Sequence, residues 1–264
     1  MKNNYIKNFL KVIIWPIIFM IGSFLINYIF VAIFNSKEIN KMSNNEFIDY
    51  IKTVEYQNKL NNFINSKALL IVFITFVIFF PVFYNVYKKY IVKDNFKIKS
   101  IYVPILFGIS ISLIYNIILF NLNKIFNFTD LFTEKGLPLI VQIISSGLIG
   151  PILEELLFRG IIYNKLKEFN KQMTSIILTS ILFCIVHANI LDAIYAFGVS
   201  FIFIFLYEKY KTLKAPIIMH ISLNMTIILL FNIINMDIIL LNCCFVCLGV
   251  VALLFLRKKI IKTV

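Results

Sequence analysis

Long apolar runs separated by short polar segments dominate this chain. A helix needs about 20 apolar residues to cross the ~30 Å hydrocarbon core of a bilayer, and eight runs approach or exceed that length. They cover residues 12–34, 68–87, 101–120, 137–158, 173–191, 193–207, 215–234 and 238–256. The pattern predicts an all-α, polytopic bundle of about eight transmembrane helices, with seven or nine spans as the alternatives.

The composition excludes an ordinary soluble protein. Of the 264 residues, 60% are hydrophobic and 15% are charged, whereas soluble domains have about 45–50% apolar and about 25% charged residues. Disordered chains and small disulfide scaffolds are excluded as well, because both are poorer in apolar residues or richer in cysteine. The lipid bilayer is therefore the first expected partner.

The net charge of +13 does not indicate a nucleic-acid partner, because the lysines lie between the apolar runs rather than on one soluble face. Lysines near membrane helices mark the cytosolic side. Their distribution predicts that both termini are cytosolic and that residues 35–67 form one long external loop, as a short cap or amphipathic helix. The first run has no small-residue cleavage site, so we expect a retained anchor and a single integral membrane domain over residues 1–264.

Ionisable residues are costly inside a membrane and usually mark function there. Of the thirteen acidic residues, only the adjacent Glu154 and Glu155 fall well inside predicted spans. The two histidines, His187 and His220, also fall inside predicted spans. The out-of-place polar residues are thus concentrated in three helices, which we expect to meet in one cavity open to the cytosolic side.

The spacing of these residues assigns them to helix faces. Glu155 and Arg159 are four residues apart, so they can form an ion pair on one helix face. Glu154 is rotated about 100° from Glu155 and is left for chemistry. Phe183 precedes His187 by one turn. On the last of the three helices His220 and Asn224 are also one turn apart, so both can point toward one place.

This set of side chains suits amide hydrolysis by either of two routes. A partly buried carboxylate can take a proton from water, a histidine can relay it, and a second histidine with an asparagine can stabilise an oxyanion. Alternatively, Glu154, His187 and His220 form a ligand set that catalytic zinc sites use. No cofactor is certain from the residues, and zinc remains an alternative.

Three motifs, Glu154-Glu155-x-x-x-Arg159, Phe183-x-x-x-His187 and His220-x-x-x-Asn224, occur in this order on successive predicted helices. In this arrangement the chain resembles the CPBP family, which contains CAAX proteases and bacteriocin-processing proteins. These proteins are also called Abi proteins or type II CAAX prenyl endopeptidases. The resemblance covers roughly residues 101–234, the expected catalytic core.

The resemblance implies an intramembrane endopeptidase with a site on the cytosolic side. By analogy, Glu154 would activate water with help from His187, and His220 and Asn224 would hold the oxyanion. Glu155, Arg159 and Phe183 would support them. Whether the family consists of metalloproteases or of metal-independent glutamate proteases is disputed.

The resemblance also implies a substrate and a setting. The substrate would be a membrane-associated protein or peptide, lipidated or hydrophobic, of the CAAX-like or the bacteriocin and signal-peptide type, and the enzyme would lie in a bacterial cell membrane. The residues do not indicate an oligomeric state.

Two other functions compete with this interpretation. The first is a non-catalytic scaffold or bacteriocin-immunity protein of the same fold, which would have no reason to bury Glu154 and both histidines. The second is a proton- or cation-coupled transporter, but the internal repeats common in transporters are not evident. The cysteines lie in apolar runs and are interpreted as small hydrophobic filler; they are Cys184, Cys243, Cys244 and Cys247.

Overall fold

The computed structural model describes residues 2–92, 94–126, 137–187 and 190–233. Within these ranges the chain forms eight helices and no strand. The helices are α1 (Lys2–Ile39), α2 (Asn44–Tyr50), α3 (Val54–Tyr87), α4 (Tyr102–Phe126), α5 (Leu139–Lys167), α6 (Gln172–Ile185), α7 (Ile190–Tyr210) and α8 (Lys214–Ile233). The expected all-α membrane bundle is confirmed.

Five of these helices, α1, α3, α4, α5 and α7, are long and apolar enough to cross a membrane. The other two apolar helices, α6 and α8, are shorter. The predicted span 238–256, together with Cys243, Cys244 and Cys247, lies outside the described residues. The count of eight spans and the cytosolic position of both termini remain predictions.

The segment 35–67, predicted as an external loop with a short cap or amphipathic helix, is largely helical. Helix α1 continues to Ile39 and α3 already begins at Val54, with the short α2 between them. Ser43 and Glu46 form a capping box that starts α2. The hydrogen bonds that Ser43 donates from its hydroxyl and backbone to Glu46 lower the pKa of that carboxyl. The expectation of a short helix in this segment is thereby met.

Helix α5 is irregular in a way that the sequence pattern did not reveal. Two π-helical stretches, Ile143–Ile149 and Leu156–Tyr163, flank an α-helical segment Gly150–Glu155. Pro151 stands at the start of that segment and has no N–H to donate to the preceding turn. Wide π turns occur frequently at functional sites, and here they bracket both glutamates.

Helix α5 lies at the centre of the bundle. Every residue of its stretch Leu156–Tyr163 is buried. Helix α5 as a whole contacts α1, α3, α6, α7 and α8. By contrast, α1 and α3 expose large apolar side chains such as Phe24 and Phe73, as expected for helices that face lipid. Glu155 and Arg159 of α5 are therefore enclosed by other helices.

Helices α4 and α8 pack closely at Gly108. A Cβ atom added there would lie 2.4 Å from the backbone oxygen of Met219 and 2.8 Å from the Cβ of Ser222. Both contacts are with rigid atoms of α8, so a methyl group would force the helices apart. This contact holds α8, which carries His220 and Asn224, in its place.

We expect Gly108→Ala to lower the free energy of unfolding by about 1–3 kcal/mol, because overpacking moves α8. Gly198→Ala is the matched control, since a Cβ at Gly198 meets nothing within 4 Å. Alanine is the better helix former by up to about 1 kcal/mol, so the control should be neutral or stabilising. Thermal unfolding in detergent measures both variants, and equal melting temperatures would contradict the packing account.

Candidate active site

A cavity of about 170 Å³ lies among helices α4 to α8 and His187, which follows α6. Glu154, His187, His220 and Asn224 all line it, and so does Phe183. The four residues that the sequence nominated for catalysis therefore meet at one place. The cavity does not by itself establish their roles, which remain predictions.

The carboxylate of Glu155 lies at the centre of a buried network. Its Oε1 accepts a hydrogen bond from Arg159 Nη1 at 3.0 Å and another from His220 Nδ1 at 2.9 Å. Glu155 and Arg159 are both fully buried. The predicted i,i+4 pair is confirmed, and it has a third member that the spacing did not reveal, because His220 lies on a different helix.

Arg159 contacts residues of α6 and α7. Its Nη2 donates to Ser200 Oγ at 2.8 Å, and Ser200 Oγ accepts in turn from Ser180 Oγ at 3.0 Å. The guanidinium also lies over the rings of Phe183 and Phe203, at 4.4 and 4.8 Å from their centroids. Such stacking stabilises a desolvated cation, so α6 and α7 both help to fix the ion pair.

His220 presents one nitrogen to the cavity. Because a carboxylate oxygen only accepts, Nδ1 must carry the proton of the 2.9 Å bond to Glu155. Its Nε2 lies 3.8 Å from Glu154 Oε2, and the ring stacks on Phe203 at 4.7 Å. The side chain of Glu154 is 30% exposed, so the second glutamate differs from the fully buried first.

His187 is not inside a helix, contrary to the predicted span 173–191. Helix α6 ends at Ile185, and His187 lies in the segment before α7 begins at Ile190. Its Nδ1 lies 2.7 Å from the backbone oxygen of Phe183 and must donate to it. Neutral His187 therefore carries its lone pair on Nε2.

Asn224 and Phe183 are also fixed by neighbours. The Asn224 amide donates from Nδ2 to the backbone oxygen of Ser146 at 2.7 Å. Ser146 lies in the first π-helical stretch of α5. Phe183 packs edge-on against His187, with ring centroids 5.0 Å apart. The phenylalanine of the second motif thus contacts both a histidine and Arg159.

Several residues of the site gave no signal in the sequence. Ser180, Ser200 and Phe203 are ordinary residues for an apolar helix, and only the fold brings them to Arg159. Asp192 was assigned to a loop or span end, yet it lines the cavity from the first turn of α7. The placement of a polar residue near a helix end is where a sequence pattern is weakest.

Among the described residues, no three His, Cys, Asp or Glu side chains are close enough together to hold a metal ion. Glu154, His187 and His220 line one cavity without forming such a group. The zinc site that was the alternative stays a prediction.

We expect Arg159→Met to lower the free energy of unfolding by about 3–5 kcal/mol, because it leaves Glu155 buried without its cation. The control is Lys52→Ala, which breaks an exposed pair with Asp49 whose side chains are 67% and 83% accessible. Exposed pairs are worth about 0–1 kcal/mol. If thermal unfolding in detergent showed equal losses for the two variants, the buried pair would not have the structural weight assigned to it.

Comparison with known proteins points to the same segment of the chain. Residues 136–226 match the family model described as type II CAAX prenyl endopeptidase Rce1-like. The putative membrane peptidase YdiL of Bacillus subtilis (strain 168) is 33% identical over 96 residues, which are 36% of this chain and 38% of that protein. The chain thus matches well under half the length of this relative. No solved structure matches the chain.

The matched segment contains both glutamates, Arg159, both histidines and Asn224, so it includes all three motifs that line or support the cavity. Residues 136–226 of this integral membrane protein are therefore similar to the Rce1-like type II CAAX prenyl endopeptidases.

Proposed function

We propose that this protein is an intramembrane endopeptidase in which Glu154 activates the water that attacks a peptide bond. The observation that carries the proposal is the cavity that Glu154, His187, His220 and Asn224 share. The match to a peptidase family supports it.

Glu154 is the better placed of the two glutamates to act as the base. Glu155 is fully buried and already accepts from Arg159 and His220, whereas Glu154 is partly accessible from the cavity. A carboxylate in this position takes a proton from water as the water oxygen attacks the carbonyl carbon. The two neighbouring acids would then divide the work, one for chemistry and one for positioning.

His220 is suited to the oxyanion when it is protonated. With Nδ1–H donated to Glu155, only an imidazolium has a second N–H to offer from Nε2. The carboxylates of Glu155 and Glu154 lie on its two sides and would balance the charge of that imidazolium. The Asn224 amide, anchored on the Ser146 oxygen, would be the second donor to the oxygen that becomes negative.

His187 would move the proton. Because its Nδ1–H is donated to the Phe183 carbonyl, its Nε2 is the free base in the neutral ring. It can accept the proton that Glu154 removes from water and deliver it to the leaving amine. Cleavage of the carbon–nitrogen bond then yields a carboxylate product and an amine product.

The mechanism proposed here uses no metal. The metalloprotease alternative is tested by chelation in the experiment below. The substrate would be a membrane-associated protein or peptide, lipidated or hydrophobic, of the CAAX-like or bacteriocin type, in a bacterial membrane. A non-catalytic or bacteriocin-immunity scaffold is the competing outcome.

We expect Glu154→Gln, His187→Ala and His220→Ala each to lower kcat/KM by about 10²–10⁴, the usual range for a lost general acid or base. Glu155→Gln should lower it less, by about 10–100-fold, as groups that orient a histidine do. The amide oxygen that this substitution introduces can still accept from Arg159 and His220. Cleavage of CAAX-like and bacteriocin-leader peptides by protein purified in detergent measures these effects.

Glu55→Gln is the matched control, since Glu55 lies in the first turn of α3, with an exposed side chain. Unchanged melting temperatures of the inactive variants would separate lost chemistry from lost folding. A larger loss for Glu155→Gln than for Glu154→Gln would show that the roles are reversed. Activity abolished by a strong chelator and restored by zinc would refute the metal-free route, and a wild-type protein that cuts none of the peptides would favour the scaffold.

A further inference from the structure

Asp192 is an acidic residue in the cavity that the proposed chemistry does not use. It lies in the first turn of α7, where the helix dipole favours an ionised carboxylate. Its Oδ1 accepts a hydrogen bond of 2.7 Å from the Tyr115 hydroxyl on α4. The Tyr115 ring in turn stacks on Tyr195, with centroids 3.5 Å apart and planes 13° apart. The carboxylate is therefore held in a fixed place on the cavity wall.

Among the described residues that line the cavity, acids outnumber cations even when His220 is protonated. Among the described residues that line it, Glu154 and Asp192 are acids, His187 and His220 are the histidines, and none is a lysine or arginine. Arg159 lies outside the lining, where it is fully buried and pairs with Glu155. The Asp192 carboxylate on the wall of this cavity therefore attracts a cation.

Tyr195 adds a hydroxyl that has no hydrogen-bond partner among the described residues. It lines the same cavity, and this hydroxyl is buried. Buried hydroxyls in native proteins are nearly always hydrogen-bonded, so this one is suited to meet a ligand. The stacked Tyr115 and Tyr195 rings also offer aromatic faces, which favour an ammonium or guanidinium group.

We propose that Asp192 and Tyr195 form a subsite for a positively charged group of the substrate, namely a lysine or arginine side chain, or a free amino terminus, close to the bond that is cleaved. This inference rests on the proposed peptidase function and adds to it a substrate class. Asp192 supplies the opposite charge and Tyr195 a hydrogen-bonding hydroxyl. Glu154 remains the base and takes no part in the selection.

A purely structural role is the competing interpretation, because the Tyr115–Asp192 hydrogen bond joins α4 to α7. Two variants distinguish the roles. Asp192→Asn removes the charge and keeps an oxygen that accepts from Tyr115, whereas Tyr115→Phe removes the hydrogen bond and keeps the charge. A structural role predicts that Tyr115→Phe has the larger effect on cleavage. A role in substrate selection predicts that Asp192→Asn has the larger effect.

The experiment uses the full-length protein in detergent with a mixture of proteome-derived peptides, and mass spectrometry locates every cut. The best-cut sequence is then synthesised in two forms, with lysine or uncharged norleucine next to the cleavage point. We expect wild type to cut the lysine form with about tenfold higher kcat/KM, as for a well-placed charge pair. Asp192→Asn should bring the ratio close to one, and Tyr115→Phe should keep it.

Asp49→Asn is the control with the same chemical change, since Asp49 is exposed and remote from the cavity; it should keep the ratio and the activity of wild type. A wild-type ratio near one, or a ratio that survives Asp192→Asn, would overturn the subsite.

Binding separates failure of the subsite from failure of the proposed function. The probes are fluorescein-labelled decapeptides of leucine and alanine with a central lysine or norleucine. Fluorescence anisotropy measures their binding to Glu154→Gln and to the double variant that carries Glu154→Gln and Asp192→Asn. We expect about tenfold tighter binding of the lysine peptide to the first protein only. If wild type cuts no peptide but the variant still binds the lysine peptide more tightly, the peptidase proposal fails and the cation subsite stands. If this binding preference is also missing, the subsite fails as well.

Discussion

One carboxylate oxygen, Oε1 of Glu155, determines the arrangement of the site because it accepts from both Arg159 and His220. These bonds join α5 to α8, and the bond from Arg159 to Ser200 continues the connection to α7. Burying an ion pair costs desolvation energy that the attraction of its charges often does not recover. The network is therefore better understood as a means of placing His220 than as a source of stability.

The placement of His220 determines what the other groups can do. With its Nδ1 bound to Glu155, its Nε2 points to the side where Glu154 lies, 3.8 Å away. Two adjacent acids on one helix thus have different surroundings, one fully buried and bonded, the other partly accessible from the cavity. The irregular α5 contributes to this difference, since both glutamates lie between two wide π-helical stretches.

Much of this arrangement could be predicted from the sequence, because membrane burial makes polar residues conspicuous. The apolar runs predicted an all-α bundle, and four-residue spacing predicted the Glu155–Arg159 pair. The sequence did not reveal that His220 also bonds to Glu155, since this contact spans 65 positions. Helical periodicity describes neighbours on one helix, and nothing in it determines which helices meet.

The errors have the same physical origin. An apolar run does not show where a helix stops, so α6 was predicted to contain His187, although it ends at Ile185. The polar segment 35–67 was predicted as a loop with a short cap or amphipathic helix, and the caps at Ser43 and Thr53 start helices there. Asp192 was placed in the turn between the runs 173–191 and 193–207, and not among the acids inside spans. The folded bundle turns it toward the cavity instead.

The most direct test of the account is the protonation pattern of the two imidazoles. The chain contains only two histidines, so untagged protein labelled with ¹⁵N-histidine gives two pairs of ring nitrogen signals in an NMR spectrum. At a pH where both rings are neutral, we predict that His220 and His187 each carry the proton on Nδ1, and that Glu155→Gln shifts the His220 signals alone. A His220 protonated on Nε2, with a bare Nδ1, would contradict the claim that Glu155 orients the histidine toward Glu154.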